Sequence, residues 1–196
     1  MRVSWQEVLE QISCCQKCTL CHARQHPVPG EGNPHARLMF IGEGPGRDED
    51  LLGRPFVGAA GQLLEKMLAA IGESRETVYI ANVVKCRPPQ NRVPMPEEAA
   101  ACLPYLRAQT ALIRPQVIVL LGATALHAVL DANGSITRMR GQWVEKNGVW
   151  IMPTYHPAAL LRDEQKKVPA WEDLKKVRDK LKELKNGNAG SNQSLT

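Results

Sequence analysis

The sequence predicts an α/β fold: a three-layer α/β/α sandwich around a mostly parallel central sheet. Three observations lead there. Short apolar runs at 37–42, 78–84 and 117–122 have the length and composition of buried strands. Segments with helical apolar spacing lie between and after them, the alternation that builds parallel βαβ units. Asn147-Gly148, set between two further strand-like runs, marks a hairpin.

Taken in chain order, Ser4-Trp5-Gln6-Glu7 fits a capping box, in which serine and glutamate satisfy each other's free amides, so a helix starts there. It runs into a cysteine cluster, and a Pro/Gly-rich loop at 26–34 follows. The strand at 37–42 ends in a glycine-rich turn. Residues 60–71 place Leu63, Leu64, Met67, Leu68 and Ile71 on one helical face, with Gly72 as the stop. The strand at 78–84 leads to a proline-rich loop at 87–96 and a helix at 97–113. The strand at 117–122 is followed by a helix at 123–130, the hairpin strands at 142–145 and 149–154, and a charged helix at 170–184. The Asn/Gly/Ser composition from Asn186 onward predicts a disordered tail at 186–196, leaving a single domain over 1–185.

Composition narrows the class. With 43% hydrophobic and 23% charged residues among 196, the chain has the balance of a soluble globular protein. No apolar run approaches the roughly 20 residues needed to cross a bilayer. Glu7 and Glu10 stand where a secretory signal would need an apolar core, so a cytoplasmic location is expected. Twenty-five basic and twenty acidic residues leave a net charge of +5, which suits a polyanionic partner without demanding one.

Six cysteines in a reducing compartment point to buried thiols, catalysis or metal rather than disulfides. Cys15 and Cys18 form a C-x2-C pair, and Cys86 and Cys102 lie far downstream with fifteen residues between them. Four thiolates suit tetrahedral zinc or an iron–sulfur cluster, and spacing does not choose between them. Cys14 and Cys21 are additional candidates on paper.

Ligands in such sheets gather at the carboxyl ends of the strands. Three polar segments, 42–50, 82–87 and 155–162, fall at predicted strand ends. Ordinary turn chemistry accounts for any one of them; their convergence makes them the candidate site. The glycine-rich turn does not fit a phosphate-binding P-loop or a dinucleotide-binding fingerprint.

Six motifs in order are more specific. They are C-x2-C-x-L ending in Arg24, Gly42-Glu43-Gly44-Pro45-Gly46 with Glu49-Asp50, and Gly53-Arg54-Pro55-Phe56-Val57-Gly58. Asn82-Val-Val-Lys-Cys86-Arg-Pro-Pro, Pro96-Glu-Glu and His156-Pro-Ala-Ala-Leu160-Leu161-Arg162 complete the set. Together they resemble the family 4 uracil-DNA glycosylases, the iron–sulfur type of bacteria and archaea, from about Cys15 to Arg162. The resemblance implies a uracil-DNA glycosylase-like sandwich and a monomeric enzyme of the bacterial or archaeal cytosol. Such an enzyme flips uracil out of single- or double-stranded DNA and hydrolyses its N-glycosidic bond, which begins base-excision repair. It also implies a structural 4Fe-4S cluster on Cys15, Cys18, Cys86 and Cys102, with Cys14 and Cys21 as bystanders.

The resemblance assigns roles as well. Phe56 stacks on the flipped uracil. The Asn82 amide donates to O4 and accepts from N3–H, the reverse of what cytosine requires. His156 donates to O2, and the amides of residues 42–46, including Gly42 and Gly44, form a small anion nest. Related families carry a water-positioning aspartate where this chain has Gly44, so the water falls to a nearby carboxylate: Glu43, Asp48, Glu49 or Asp50, with Glu43 favoured. Glu49 is the candidate wall against the thymine C5 methyl. Leu160 with Arg162 resembles the wedge and phosphate contact of the minor groove, and Lys85, Arg87, Arg92 and Arg138 are further phosphate candidates.

Two rivals share features of the sequence. A non-catalytic iron–sulfur nucleic-acid-binding module would use the same cysteines and glycine-rich turn, but it has no need of Asn82, Phe56 and His156 together. A relative that bonds covalently to the abasic sugar carries a basic loop with a histidine after the second strand, and residues 87–96 contain none.

Overall fold

The computed structural model describes residues 4–130 and 133–190. Helix α1 (Trp5–Ser13) starts as expected: Ser4 Oγ accepts from the Glu7 amide at 3.2 Å and Glu7 accepts from the Ser4 amide at 2.6 Å. The loop at 26–34 is not wholly irregular, because Glu31–Gly32 forms a short strand, β1, that pairs antiparallel with β3 (Tyr79–Asn82). Between them lie β2 (Leu38–Gly42), α2 (Arg47–Leu52) and α3 (Ala59–Ala70). The chain continues through α4 (Pro96–Ile113), β4 (Val117–Leu121), α5 (Ala123–Val129) and α6 (Ile136–Met139). The hairpin strands β5 (Val144–Lys146) and β6 (Val149–Thr154) lead to α7 (Pro157–Arg162) and α8 (Lys167–Gly190).

The six strands form one sheet in the order β1-β3-β2-β4-β6-β5. The inner four are mutually parallel and both edge strands are antiparallel. The expected hairpin closes through Asn147 and Gly148, at φ +53° and +77°, the pair of left-handed residues a type I′ turn needs.

Alternation along the strands divides the interior into two cores. Met39, Ile41, Ile118 and Leu120 face α1, α4 and α5, where Val8, Ile12, Leu106, Ile113 and Ala125 meet them. Leu38, Phe40, Val117, Val119 and Leu121 face the other way, onto Leu64, Leu68, Leu160, Leu174 and Val177 of α3, α7 and α8. Successive strand residues point to opposite faces, so one continuously apolar strand serves both cores. The result is the expected three-layer α/β/α sandwich with a mostly parallel sheet.

Two expectations need correction. Helix α8 begins at Lys167 and continues to Gly190, so residues 186–190 are helical rather than disordered; the rest of the expected tail, 191–196, lies outside the described residues. The second half of the polar segment at 42–50, expected as turn, belongs to α2. None of the helices among the described residues is long and apolar enough to cross a membrane.

Candidate active site

The carboxyl ends of β2, β3, β4 and β6 open onto one cleft of about 740 Å³. All three polar segments reach it: Glu43–Gly46 and Glu49 from the first, Asn82 from the second, and Tyr155, His156 and Arg162 from the third. Phe56 joins them from the loop before α3. The end of β4 also contributes, through Gly122, Thr124 and His127. The strand end at 121–124 could have flagged that fourth side; its polar content is too slight to stand out in the sequence.

Asn82 closes β3 and is 2% exposed. Its Oδ1 is buried and, among the described residues, has no hydrogen-bond partner, while its backbone carbonyl accepts from Lys85 Nζ at 2.9 Å. A buried acceptor with no donor costs about 1–3 kcal/mol, a cost that a donor on a molecule bound in the cleft would offset. Gly42 permits the arrangement: a Cβ there would meet Asn82 Oδ1 at 2.4 Å and Phe56 Cζ at 2.6 Å. A side chain at Gly44 would meet Val84 Cγ2 at 2.7 Å. An aspartate at 44 therefore has no room without movement of Val84.

His156 caps α7, its Nδ1 accepting from the Ala158 amide at 3.1 Å. That bond leaves the ring proton on Nε2. Burial, and then the nearby Arg162 charge, push the His156 pKa down to about 4, so the imidazole is neutral at pH 7. Its ring lies 5.5 Å from that of Phe56, at 28° between planes.

The four acidic candidates separate clearly. Asp50 is buried away from the cleft and accepts from the Gln25 amide at 2.9 Å. Asp48 is exposed on α2. Glu49 lines the cleft but has both oxygens engaged: Oε2 accepts from Gly46, and Oε1 accepts from the amides of Val57 and Gly58. It ties the glycine-rich turn to the Phe56 loop. Glu43 stands in the cleft with Oε2 accepting from the Thr124 hydroxyl.

Two of the DNA-contact candidates are misplaced. Leu160 is 2% exposed and packs in the core with α3 and α8, whereas Leu161 beside it is 48% exposed. The helical turn of α7 rotates one leucine inward and the next outward, so Leu160 is not available as a wedge. Lys85 is 1% exposed with its ammonium on the Asn82 carbonyl, so it does not face phosphate. Arg92 is held by Glu98 at 2.7 and 2.8 Å, Arg87 donates to Asn91, Arg138 is exposed on α6, and Arg162 lines the cleft.

The cysteines gather on the opposite side of 82–86. Cys15, Cys18, Cys86 and Cys102 share a small cavity with Cys21, Arg24 and Tyr105. Burial pushes the Cys86 thiol up and the Cys102 thiol up to about 11, so free thiolates would be unfavourable without a cation to bind. Two donors already face the sulfurs: Arg24 Nη1 reaches Cys86 Sγ at 3.0 Å, and the Lys85 amide reaches Cys102 Sγ at 3.2 Å. Among the described residues, no three His, Cys, Asp or Glu side chains stand close enough to hold one metal ion. Four thiols around one cavity are the donor set that thiolate-bound zinc or an iron–sulfur cluster uses. Cys14 is exposed and lies off the cavity; Cys21, expected as a bystander, does line it.

An aromatic face, a buried amide oxygen, a neutral imidazole and a carboxylate thus meet at the ends of the parallel sheet. The family model described as "Uracil DNA glycosylase superfamily" matches residues 29–175. The chain belongs to that superfamily. It is 48% identical over 179 residues to a type-4 uracil-DNA glycosylase of Thermotoga maritima, a match covering 89% of this chain and 93% of that one. It is 45% identical to one from Sulfurisphaera tokodaii (90% and 84% covered) and 46% identical to one from Archaeoglobus fulgidus (89% and 92%).

Proposed function

We propose that this protein, acting as a single-domain monomer, removes uracil from single- or double-stranded DNA. It hydrolyses the N-glycosidic bond and leaves an abasic site for base-excision repair in the cytosol of its cell. The observation that carries this reading is the buried, unpartnered Asn82 Oδ1 in the cleft beside Phe56.

The residues divide the work in the following way. A flipped uracil stacks on Phe56. Asn82 Oδ1 accepts from N3–H and the Asn82 amide nitrogen donates to O4; cytosine, with an acceptor at N3 and a donor at C4, mismatches both. As the C1′–N1 bond breaks, its electrons pass to uracil and accumulate at O2. There the neutral His156 donates from Nε2, joined by amides of the 42–46 turn. A donor fixed in place and uncharged before the reaction needs no reorganisation as the charge forms. Water attacks C1′ from the side of Glu43, whose orientation Thr124 fixes, and the carboxylate accepts the proton released. Glu49 braces the turn against the Phe56 loop and from there walls the C5 side. On α7, exposed Leu161 fills the vacated stack and Arg162 meets phosphate.

Cys15, Cys18, Cys86 and Cys102 hold a 4Fe-4S cluster of structural role. The thiol donor set, the cavity and the two donors facing sulfur fit it. When bound, the cluster supplies cross-links between segments far apart in the chain.

A labelled oligonucleotide with one uracil, incubated with the protein and then with alkali, tests the activity. Scission at uracil is expected, and none at cytosine or thymine. Intact strands at high protein concentration would defeat the assignment.

A further inference from the structure

Arg75 lies in the connection between α3 and β3, outside the cleft, yet its side chain is only 11% exposed. Its guanidinium is turned toward the loop that carries Phe56. Nη1 donates to the Pro55 carbonyl at 3.0 Å, and Nη2 donates to the Phe56 carbonyl. Nε donates to Glu65 at 2.6 Å, and Glu31 stands 3.9 Å away, which orients the fork.

Phe56 needs such a hold. Its φ of +53° lies in the left-handed region, which residues other than glycine seldom occupy. The Pro55 carbonyl belongs to the peptide plane before the Phe56 Cα, and the Phe56 carbonyl to the plane after it. One planar guanidinium bound to both therefore fixes φ and ψ of this residue together. From the other side, the backbone of Phe56 lies so close to Gly61 that a Cβ there would meet Phe56 O at 1.8 Å. Relaxation of Phe56 to an ordinary backbone conformation would carry the ring away from His156 and the cleft wall.

We infer that Arg75 is a positioning residue for base recognition, clamping Phe56 in a strained backbone conformation so that its ring presents the stacking face. The inference rests on the reading of Phe56 as the stacking surface. Lysine cannot replace the clamp, because an ammonium lacks the fork that reaches two carbonyls at fixed spacing.

The test is a double-substitution cycle read as single-turnover cleavage of a uracil oligonucleotide, with affinity for an abasic-site duplex and melting temperature measured alongside. Arg75→Lys should slow cleavage about tenfold, the scale set by release of one strained residue. Abasic-site affinity should stay unchanged. Phe56→Leu should slow cleavage as well, and adding Arg75→Lys to it should cost nothing more. Arg75→Gln, which keeps a donor for one carbonyl, supplies a second variant with the same expected pattern. If the arginine variants cleave normally while Phe56→Leu is slow, the clamp is wrong. Additive losses in the double variant, or cleavage and abasic-site affinity falling together with melting temperature, also overturn it by showing a general structural role. Normal cleavage by Phe56→Leu would instead remove the stacking role on which the clamp depends.

Discussion

At the scale of single residues, Asn82 and His156 owe their properties to burial, and burial makes their behaviour predictable. Asn82→Ala removes both halves of the edge reader and leaves uracil's polar edge unmatched. Cleavage should fall by roughly 2–4 kcal/mol in transition-state terms while the fold survives. Single-turnover rates and a melting curve on the same preparation check both halves. The depressed His156 pKa has two consequences. The acid limb of cleavage should lie near pH 4 rather than at an ordinary histidine's value near 6.5. Stability follows the same sign: the unfolded chain binds this proton more readily, so stability should drop as pH falls from about 6.5 toward 4. His156→Gln should flatten that part of the stability profile, and a profile unchanged by the substitution would refute the assignment. Of the residues in the cleft, Asn82, Phe56 and His156 could be read from the sequence only through their motifs in order. Arg75 and Thr124 could not be read at all, because their partners lie 10 to 81 residues away in the chain and no local pattern announces them.

At the scale of elements, the four inner strands were legible because each is short and largely apolar on both faces, as a parallel sheet covered by helices requires. Helix α2 escaped because it is a single six-residue stretch whose Leu51 and Leu52 are 42% and 63% exposed, leaving no apolar face to detect. The end of α8 escaped because its Asn/Gly composition argues against helix. Helix α7 opens on Pro157, a residue preset for a first helical position, but nothing in the sequence gives its rotation, so Leu160 rather than Leu161 was expected at the groove. A direct comparison checks the rotation. Leu161→Ala should slow cleavage of duplex DNA more than of single strands, with little change in melting temperature, since only the duplex leaves a gap to fill. Leu160→Ala should instead cost about 2–5 kcal/mol of stability and depress both activities alike. The opposite pattern would return Leu160 to the groove.

For the molecule as a whole, two apolar cores lie back to back across one sheet, and the cysteines join the first core's outer segments. Cys15 and Cys18 follow α1, Cys86 follows β3, and Cys102 sits in α4. Protein purified without oxygen should be brown and carry about four irons. Cys86→Ser or Cys102→Ser should lose iron and solubility together, while Cys14→Ser, at an exposed position off the cavity, should keep its iron. Stoichiometric zinc in the purified protein would contradict the cluster.

The stretch from Asn82 to Cys86 gives the cysteine cavity a second meaning. Asn82, the proposed base reader, lines the cleft at one end, and Cys86 lines the cysteine cavity at the other. Lys85 between them grips the Asn82 carbonyl with its ammonium and Cys102 with its amide. Five consecutive residues thus carry both the proposed reader and the proposed anchor, with no hinge to insulate one from the other. On the proposed reading, a molecule that loses its anchor should lose its reader in the same event, so damage on the cysteine side should silence the enzyme instead of leaving it active and indiscriminate. For a protein that cuts bases out of a genome, that is the safe way to fail.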